Sequence, residues 1–386
     1  MEGEIGNFIR VWASVFASVF YCYAVARIVA KGFIRLVMFF PVVHLFLVLP
    51  FTLTSVHLGC PTLFFISWLA NFKLLLLAFG NGPLSEPSLS MGRFVILACF
   101  PVKVQENQNP SQPKSESRRL NGSPIKEEAH SSPKYYNSGL RKLSYFAREG
   151  LILAFLLRLG HWRKHVNPNI FLFCICMYVY IGLDLMLGIV ASIGQFLLGI
   201  ELEIPFNAPY LSTSLKDFWG QRWNRMASDI LRSVVFGPIF KYSSRKVGLK
   251  WALIQALLAT FLVSAMMHEL ILYYLGRTRP KCGTTLFFLI HGILLVVEAA
   301  LKKKFNAKWA LPQLITGPLI FGFMILTFVW LILPEVLEYE VDARALEEYD
   351  ALGQFLKDLG IFLKESCYNC FLFFSEVVAT YSYNII

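Results

Sequence analysis

The stretch from Trp251 to Leu275, WALIQALLATFLVSAMMHELILYYL, decides the fold class. At 1.5 Å per residue, a helical run this long covers the roughly 30 Å hydrocarbon core of a bilayer. Tyrosines aside, its ionisable side chains are His268 and Glu269, adjacent in Ser264-Ala265-Met266-Met267-His268-Glu269-Leu270. An ionisable group at bilayer depth costs about 2.5 to 3.5 kcal/mol on insertion scales, so this pair marks a candidate functional site.

The rest of the chain repeats the pattern. Its 386 residues are 56% hydrophobic and 16% charged, with 35 Phe, more apolar surface than a soluble globule can cover. Apolar spans are expected at 11–30, 33–53, 61–80, 88–101, 169–194, 250–275, 284–301 and 311–334. A weaker candidate at 143–162 is interrupted by Arg148, Glu149 and Arg158. The expected class is all-α: one polytopic transmembrane helical domain over 1–386, with about 8–9 membrane helices plus interfacial ones. The first apolar run is too long for a cleaved leader and lacks a small-residue cleavage site, so it reads as an anchor.

The eight cysteines are scattered, several of them inside spans, which argues against a disulfide framework. Cys367 and Cys370 have redox-motif spacing but stand beside Phe371-Leu-Phe-Phe374, and read as isolated thiols near a membrane. The net charge of +11 comes from basic residues where spans end. Such flanks point to membrane lipids as partners, and not to nucleic acid.

Two polar stretches interrupt the spans. Residues 103–142 carry eight Lys or Arg, four Glu and four Pro with few apolar side chains, and are expected to be a disordered cytosolic insert. Residues 201–248 mix charge with Phe206, Tyr210, Phe218, Trp219, Trp223 and Met226, and are expected to be an ordered amphipathic cytosolic loop. Both are basic, so an even number of crossings should separate them: either 143–162 crosses as well as 169–194, or 169–194, with Asp184 in its middle, does not cross fully. Onward, 250–275 exits, 284–301 returns to Lys302-Lys303-Lys304, and 311–334 leads to the acidic stretch Glu335–Asp350 on the far side. Residues 351–386 are expected to form a C-terminal interfacial segment, because Leu352, Phe355, Leu356 and Leu359 recur at helical spacing.

Within the ordered loop, Ser214 and Asp217 have capping-box spacing, and Trp219, Trp223, Met226 and Ile230 form one apolar helical stripe. Asn224 lies off that stripe beside Gly220, Gln221, Ala227 and Ser228, on a small-residue face suited to close approach of a ligand. A solvated Asn on an interfacial helix is the alternative reading. In the membrane helix, Ser264 lies one turn before His268 and is expected to hydrogen-bond one imidazole nitrogen, leaving the other free. Glu269 points about 100° away and is expected to face another helix. His291 and Glu298 share a face of the next span, as a helix-packing pair or a second lining of the same cavity.

Several chemistries are excluded. Leu272 stands where a zincin needs its second histidine, so no metal site is expected. No histidine is followed five residues later by an acid, as soluble glycerolipid acyltransferases require, and there is no Gly-x-Ser-x-Gly elbow, P-loop or dinucleotide fingerprint.

Taken together, Phe218-Trp219-Gly220-Gln221-Arg222-Trp223-Asn224 in a polar loop and Met267-His268-Glu269-Leu270 in the next apolar helix resemble the paired motifs of the membrane-bound O-acyltransferase superfamily. Asn207-Ala208-Pro209 and Leu289-Ile290-His291-Gly292 resemble the form these motifs take in its plant wax ester synthase branch. The resemblance implies a helical protein enclosing a tunnel for acyl-CoA and its acceptor in the endoplasmic reticulum membrane. In it, His268 would be the catalytic histidine and Asn224 the second motif residue, with Ser264, Glu269, His291, Trp223 and Gly220 supporting or lining the tunnel. Lys216, Arg222, Arg225 and Arg232 would be candidate contacts for the phosphates of coenzyme A. No cofactor is implied beyond acyl-CoA as co-substrate. A neutral imidazole can take the proton of a lipophilic alcohol as it attacks the thioester, to give a wax ester. A sterol O-acyltransferase or a diacylglycerol acetyltransferase would carry the same motifs. A proton-coupled transporter relaying through Asp184, His268, Glu269, His291 and Glu298 is the alternative of another class.

Overall fold

The computed structural model describes residues 2–100, 139–198, 206–304, 313–358 and 360–361, all of them in helices, turns and connecting segments. Most of the expected 103–142 insert lies outside the described residues, as do 199–205 at the start of the amphipathic loop and 362–386, with Cys367 and Cys370, of the C-terminal segment.

Four helices open the chain: α1 (Glu2–Ile28), α2 (Phe33–Val48), α3 (Val56–Ala78) and α4 (Met91–Cys99). They close on one apolar core around Val15, Val19, Phe39, Phe46, Ile66 and Leu74, all fully buried. The 88–101 span is corrected here, because α4 has nine helical residues, half of what a crossing needs. It stops inside the protein, where the buried Lys73 of α3 donates to the carbonyls of Leu97 and Phe100. Those terminal carbonyls would be unmet in lipid, so the lysine lets a short helix end at membrane depth.

Next come α5 (Gly139–His161) and α6 (Pro168–Leu198), packed side by side. α5 has 23 residues, about 34 Å of helix, but its charges keep it outside the purely apolar helices. Tyr145 donates to the buried Asp184 of α6, and the exposed Arg148 pairs with the buried Glu149 at 2.8 Å. Then follow α7 (Arg225–Leu231), α8 (Gly237–Val247), α9 (Leu249–Gly276), α10 (Gly283–Lys304), α11 (Gln313–Leu331), α12 (Leu333–Glu338) and α13, residues 341–358. Gly248, at φ +83°, turns the chain from α8 back along α9. Among the described residues seven helices are long and apolar enough to cross a membrane: α1, α2, α3, α6, α9, α10 and α11.

Contacts sort the helix ends. His161 at the end of α5 meets Asp350 of α13, the start of α3 meets Glu348 of α13, and Arg344 of α13 donates to Leu275 O near the end of α9. At the other end, Glu298 near the close of α10 accepts from the Lys216 backbone of the polar loop. The molecule thus has an acidic end built on α13 and a basic end built on the 206–248 segment.

That segment corrects another expectation, since the stripe Trp219, Trp223, Met226 and Ile230 does not lie on one continuous helix. A single α-turn, Leu215–Asp217, widens into a π-turn, Phe218–Arg222; Trp223 is then extended, and Asn224 is left-handed at φ +36° before α7 begins. The break aims Trp223 and Asn224 inward.

Candidate active site

A cavity of about 680 Å³ runs through the molecule, walled mainly by α3, α6, α9, the 206–231 segment and the acidic end. α6 lines it from Phe171 to Val190, about 28 Å at 1.5 Å per residue, so it extends through most of the membrane depth. Its wall is mostly apolar, and its polar lining includes Asn224, Ser228, Ser264 and His268 together with His57, Tyr178, Asp342 and Tyr349.

The Nδ1 of His268 lies 2.8 Å from the backbone carbonyl of Ser264. A carbonyl only accepts, so Nδ1 carries the proton and Nε2 keeps its lone pair. This corrects the expected partner, which is the Ser264 backbone and not its hydroxyl, although Ser264 does line the cavity. Phe288 and Trp68 flank the imidazole at ring distances of 4.5 and 5.7 Å, and Nε2 has no hydrogen-bond partner among the described residues. The free nitrogen belongs to a residue lining the cavity.

Asn224 reaches the same cavity from the loop. Its Oδ1 accepts from Ala227 N–H at 3.2 Å and caps α7, which fixes the amide and leaves its two N–H donors for a ligand. The conformation is held by a dense local network. Asp217 Oδ2 accepts from Arg222 Nε at 2.8 Å and from Thr213 N–H at 2.9 Å, while Arg222 Nη1 reaches the carbonyls of Asn207 and Ala208 at 3.3 Å. Asn207-Ala208-Pro209 is thereby fastened to the loop that carries Asn224. The stacked rings of Phe218 and Trp223, 5.4 Å apart, complete the support, and Trp223 lines the cavity.

The remaining expected residues divide. Glu269, Gly220 and His291 do not line the cavity. Glu269 Oε1 accepts from the backbone and hydroxyl of Thr285 at 2.9 and 3.0 Å, and Glu335 accepts from Gly283 N–H at 3.2 Å, so two carboxylates meet the positive N-terminus of α10. His291 is fully buried, with Nδ1–H on Phe287 O at 2.6 Å and Thr327 Oγ1 at 3.4 Å from Nε2. The indole of Trp219, 5.7 Å from the His291 ring, itself lines the cavity. Among the phosphate candidates Arg222 is committed to the loop, Arg225 is half-buried, and Lys216 and Arg232 are exposed. The relay set of a transporter is not assembled: Asp184 is engaged by Tyr145, Glu269 by α10, and Glu298 by Lys302 at 2.5 Å and the Lys216 backbone.

Sequence reasoning missed Trp68 and the His57 group. His57 Nδ1 pairs with Glu348 at 2.7 Å and its Nε2 with the Tyr178 hydroxyl at 3.1 Å. Glu348 is one of seven acids in its stretch, and nothing in its spacing marks it out.

Comparison with known proteins matches residues 203–290 to the Membrane bound O-acyl transferase family. The chain is 37% identical to a long-chain-alcohol O-fatty-acyltransferase of Simmondsia chinensis over 353 residues, covering 91% of this chain and 96% of that protein. It is 36% identical, over the same shares of the two chains, to an acyl-CoA–sterol O-acyltransferase of Arabidopsis thaliana. A probable long-chain-alcohol O-fatty-acyltransferase from the same plant is also 36% identical, over 90% of this chain and 96% of the relative.

Proposed function

This chain belongs to the membrane bound O-acyl transferase family, in its long-chain-alcohol O-fatty-acyltransferase branch, and from that premise we propose that it esterifies a long-chain fatty alcohol to give a wax ester. It is an acyl-CoA-dependent O-acyltransferase and a multi-pass membrane protein. The observation that carries the reading of the site is the His268 imidazole, whose Nδ1–H is committed to Ser264 O and whose Nε2 is free on the cavity shared with Asn224.

In this reading Nε2 takes the alcohol proton as the alcohol oxygen attacks the thioester carbonyl, a step worth typically 10²- to 10⁴-fold. The Asn224 amide donates to the developing oxyanion. Collapse expels coenzyme A as a thiolate, which needs little assistance because a thiol has a pKa of about 8.5. The imidazolium returns its proton to that sulfur, so the base is regenerated with no net proton change. The apolar wall excludes water, which would otherwise compete with the alcohol for the thioester. The exposed Lys216 and Arg232 at the basic end are the proposed contacts for the coenzyme A phosphates, with that end cytosolic on an endoplasmic reticulum membrane.

The test is ester formation by the purified chain in lipid nanodiscs, supplied with labelled acyl-CoA and, in turn, a fatty alcohol, a sterol and a diacylglycerol. Ester with the fatty alcohol and its loss in His268→Ala support the reading. Sterol ester in its place, as the similarity to the sterol enzyme allows, changes the acceptor; no ester with any acceptor, or full activity in His268→Ala, overturns the site.

A further inference from the structure

Beyond the reacting end, the cavity runs to the acidic end, where α13 lines it with Val341, Asp342, Ala345, Leu346 and Tyr349. α13 is held there by an unusually complete set of ties. The Glu348 carboxylate accepts from Val56 N–H at 2.6 Å, His57 N–H at 3.0 Å and Ser55 Oγ at 2.9 Å, and pairs with His57 Nδ1 at 2.7 Å. It therefore caps the positive N-terminus of α3. His57 passes the connection to Tyr178 of α6, and Tyr349 stands edge-on to His57 with ring centres 4.3 Å apart. The carboxyl loses some solvation by burial, but these donors outweigh that and hold it at about 2, well below the ordinary glutamate value. On the α5 side, Leu346 lies so close to Gly160 that a methyl added there would stand 3.2 Å from its Cδ2. Such a wall, presenting Val341, Ala345, Leu346 and the Tyr349 ring beside Asp342 and held by the hydrogen bonds of Glu348, is a rigid stop.

We propose that α13 is the end wall that measures the aliphatic tail of a lipid substrate whose reactive end lies at His268. Leu346 and Tyr349 set the specificity, and Glu348 is the positioning residue that holds them. This rests on the reading of His268 as the reacting end. It adds a site of selection at the acidic end of the cavity, apart from the chemistry. The tail belongs either to the acyl group or to the alcohol, two sources with one chemistry, and the experiment separates them.

The experiment measures kcat/KM in nanodiscs over a homologous series of acyl-CoAs with one fixed alcohol, and over a series of alcohols with one fixed acyl-CoA. Leu346→Ala should raise the long-over-short ratio about tenfold in one arm, as expected for burial of roughly two more methylenes. Leu346→Trp should lower it by a similar factor, and Gly160→Ala, which presses Leu346 inward, should lower it less. The responding arm identifies the tail. Glu348→Gln should blunt the length preference through KM, with kcat on a short substrate falling far less, and Glu348→Asp should restore part of it. If ester forms but the ratio stays within about twofold for Leu346→Ala and Gly160→Ala in both arms, the end-wall proposal is overturned while the catalytic reading stands. If no ester forms with any acceptor, the catalytic reading falls and this inference with it.

Discussion

The helices carrying His268 and His291 are built alike, and they differ in what stands in front of them. Each imidazole donates Nδ1–H to the carbonyl one turn back, Ser264 O at 2.8 Å and Phe287 O at 2.6 Å, and each is surrounded by aromatic rings. His268 lines the cavity, whereas His291 does not: the Trp219 ring packs edge-on against it and Thr327 approaches its second nitrogen. Local geometry therefore prepares two equivalent bases, and packing exposes one. His57 completes the series with both nitrogens engaged, by Glu348 and Tyr178.

The strongest test of that difference is to remove each histidine in turn. His268→Ala should lower kcat by about 10²- to 10⁴-fold, because the cavity-facing base is lost, a fall far larger than the stability lost with its ring contacts to Phe288 and Trp68 can explain. A comparable fall in His291→Ala would erase the distinction. Next in size is the partner amide. Asn224→Asp keeps an acceptor for Ala227 N–H and tolerates the left-handed backbone, yet it loses both donors, so kcat should drop by about 10²- to 10³-fold with the fold intact. Retained turnover in Asn224→Asp, alongside a destabilised Asn224→Ala, would reduce Asn224 to a helix cap worth about 1 kcal/mol.

Smaller effects should follow on stability. His291→Ala should cost roughly 1–3 kcal/mol, read as a lower melting temperature in detergent, while kcat per folded molecule changes by less than about tenfold. The third histidine gives the smallest effect. The folded-state value of Glu348, about 2, lies below the ordinary 4.5, so its contribution is fully present above about pH 4.5 and is lost as pH falls toward 2. Melting temperature followed through that window should decline in the wild type and be flatter in Glu348→Gln. Equal slopes would show that the pair with His57 carries no stability.

The legibility of these features was uneven. Apolar length exposed the membrane class, and the costly pair His268-Glu269 exposed the reacting helix, because a charge at bilayer depth needs a reason within its own segment. The helical spacing also sent Glu269 away from His268, toward what the structure reveals as the start of α10. The loop was misread as one helix, since a heptad-like stripe carries no signal for a π-turn followed by a left-handed Asn. Arg222 looked like a free cation because its partners, Asp217 and the carbonyls of Asn207 and Ala208, use ordinary residue types with no marked spacing. Lys73 was invisible for the same reason, its acceptors being backbone carbonyls on another helix.

The sequence by itself determined that this protein is a bundle of membrane helices and that His268 is a costly group within one of them, while the likeness of its motifs to those of the family paired Asn224 with it. The first two are sums over neighbouring residues, the transfer cost along a run. Only the tertiary structure decided that His268 opens onto a cavity while His291 does not, that Ser264 acts through its carbonyl, and that Glu348 clamps α3 from 291 residues away. Each depends on how helices distant in sequence rotate and approach one another, a choice made by packing across the bundle that no single helix carries.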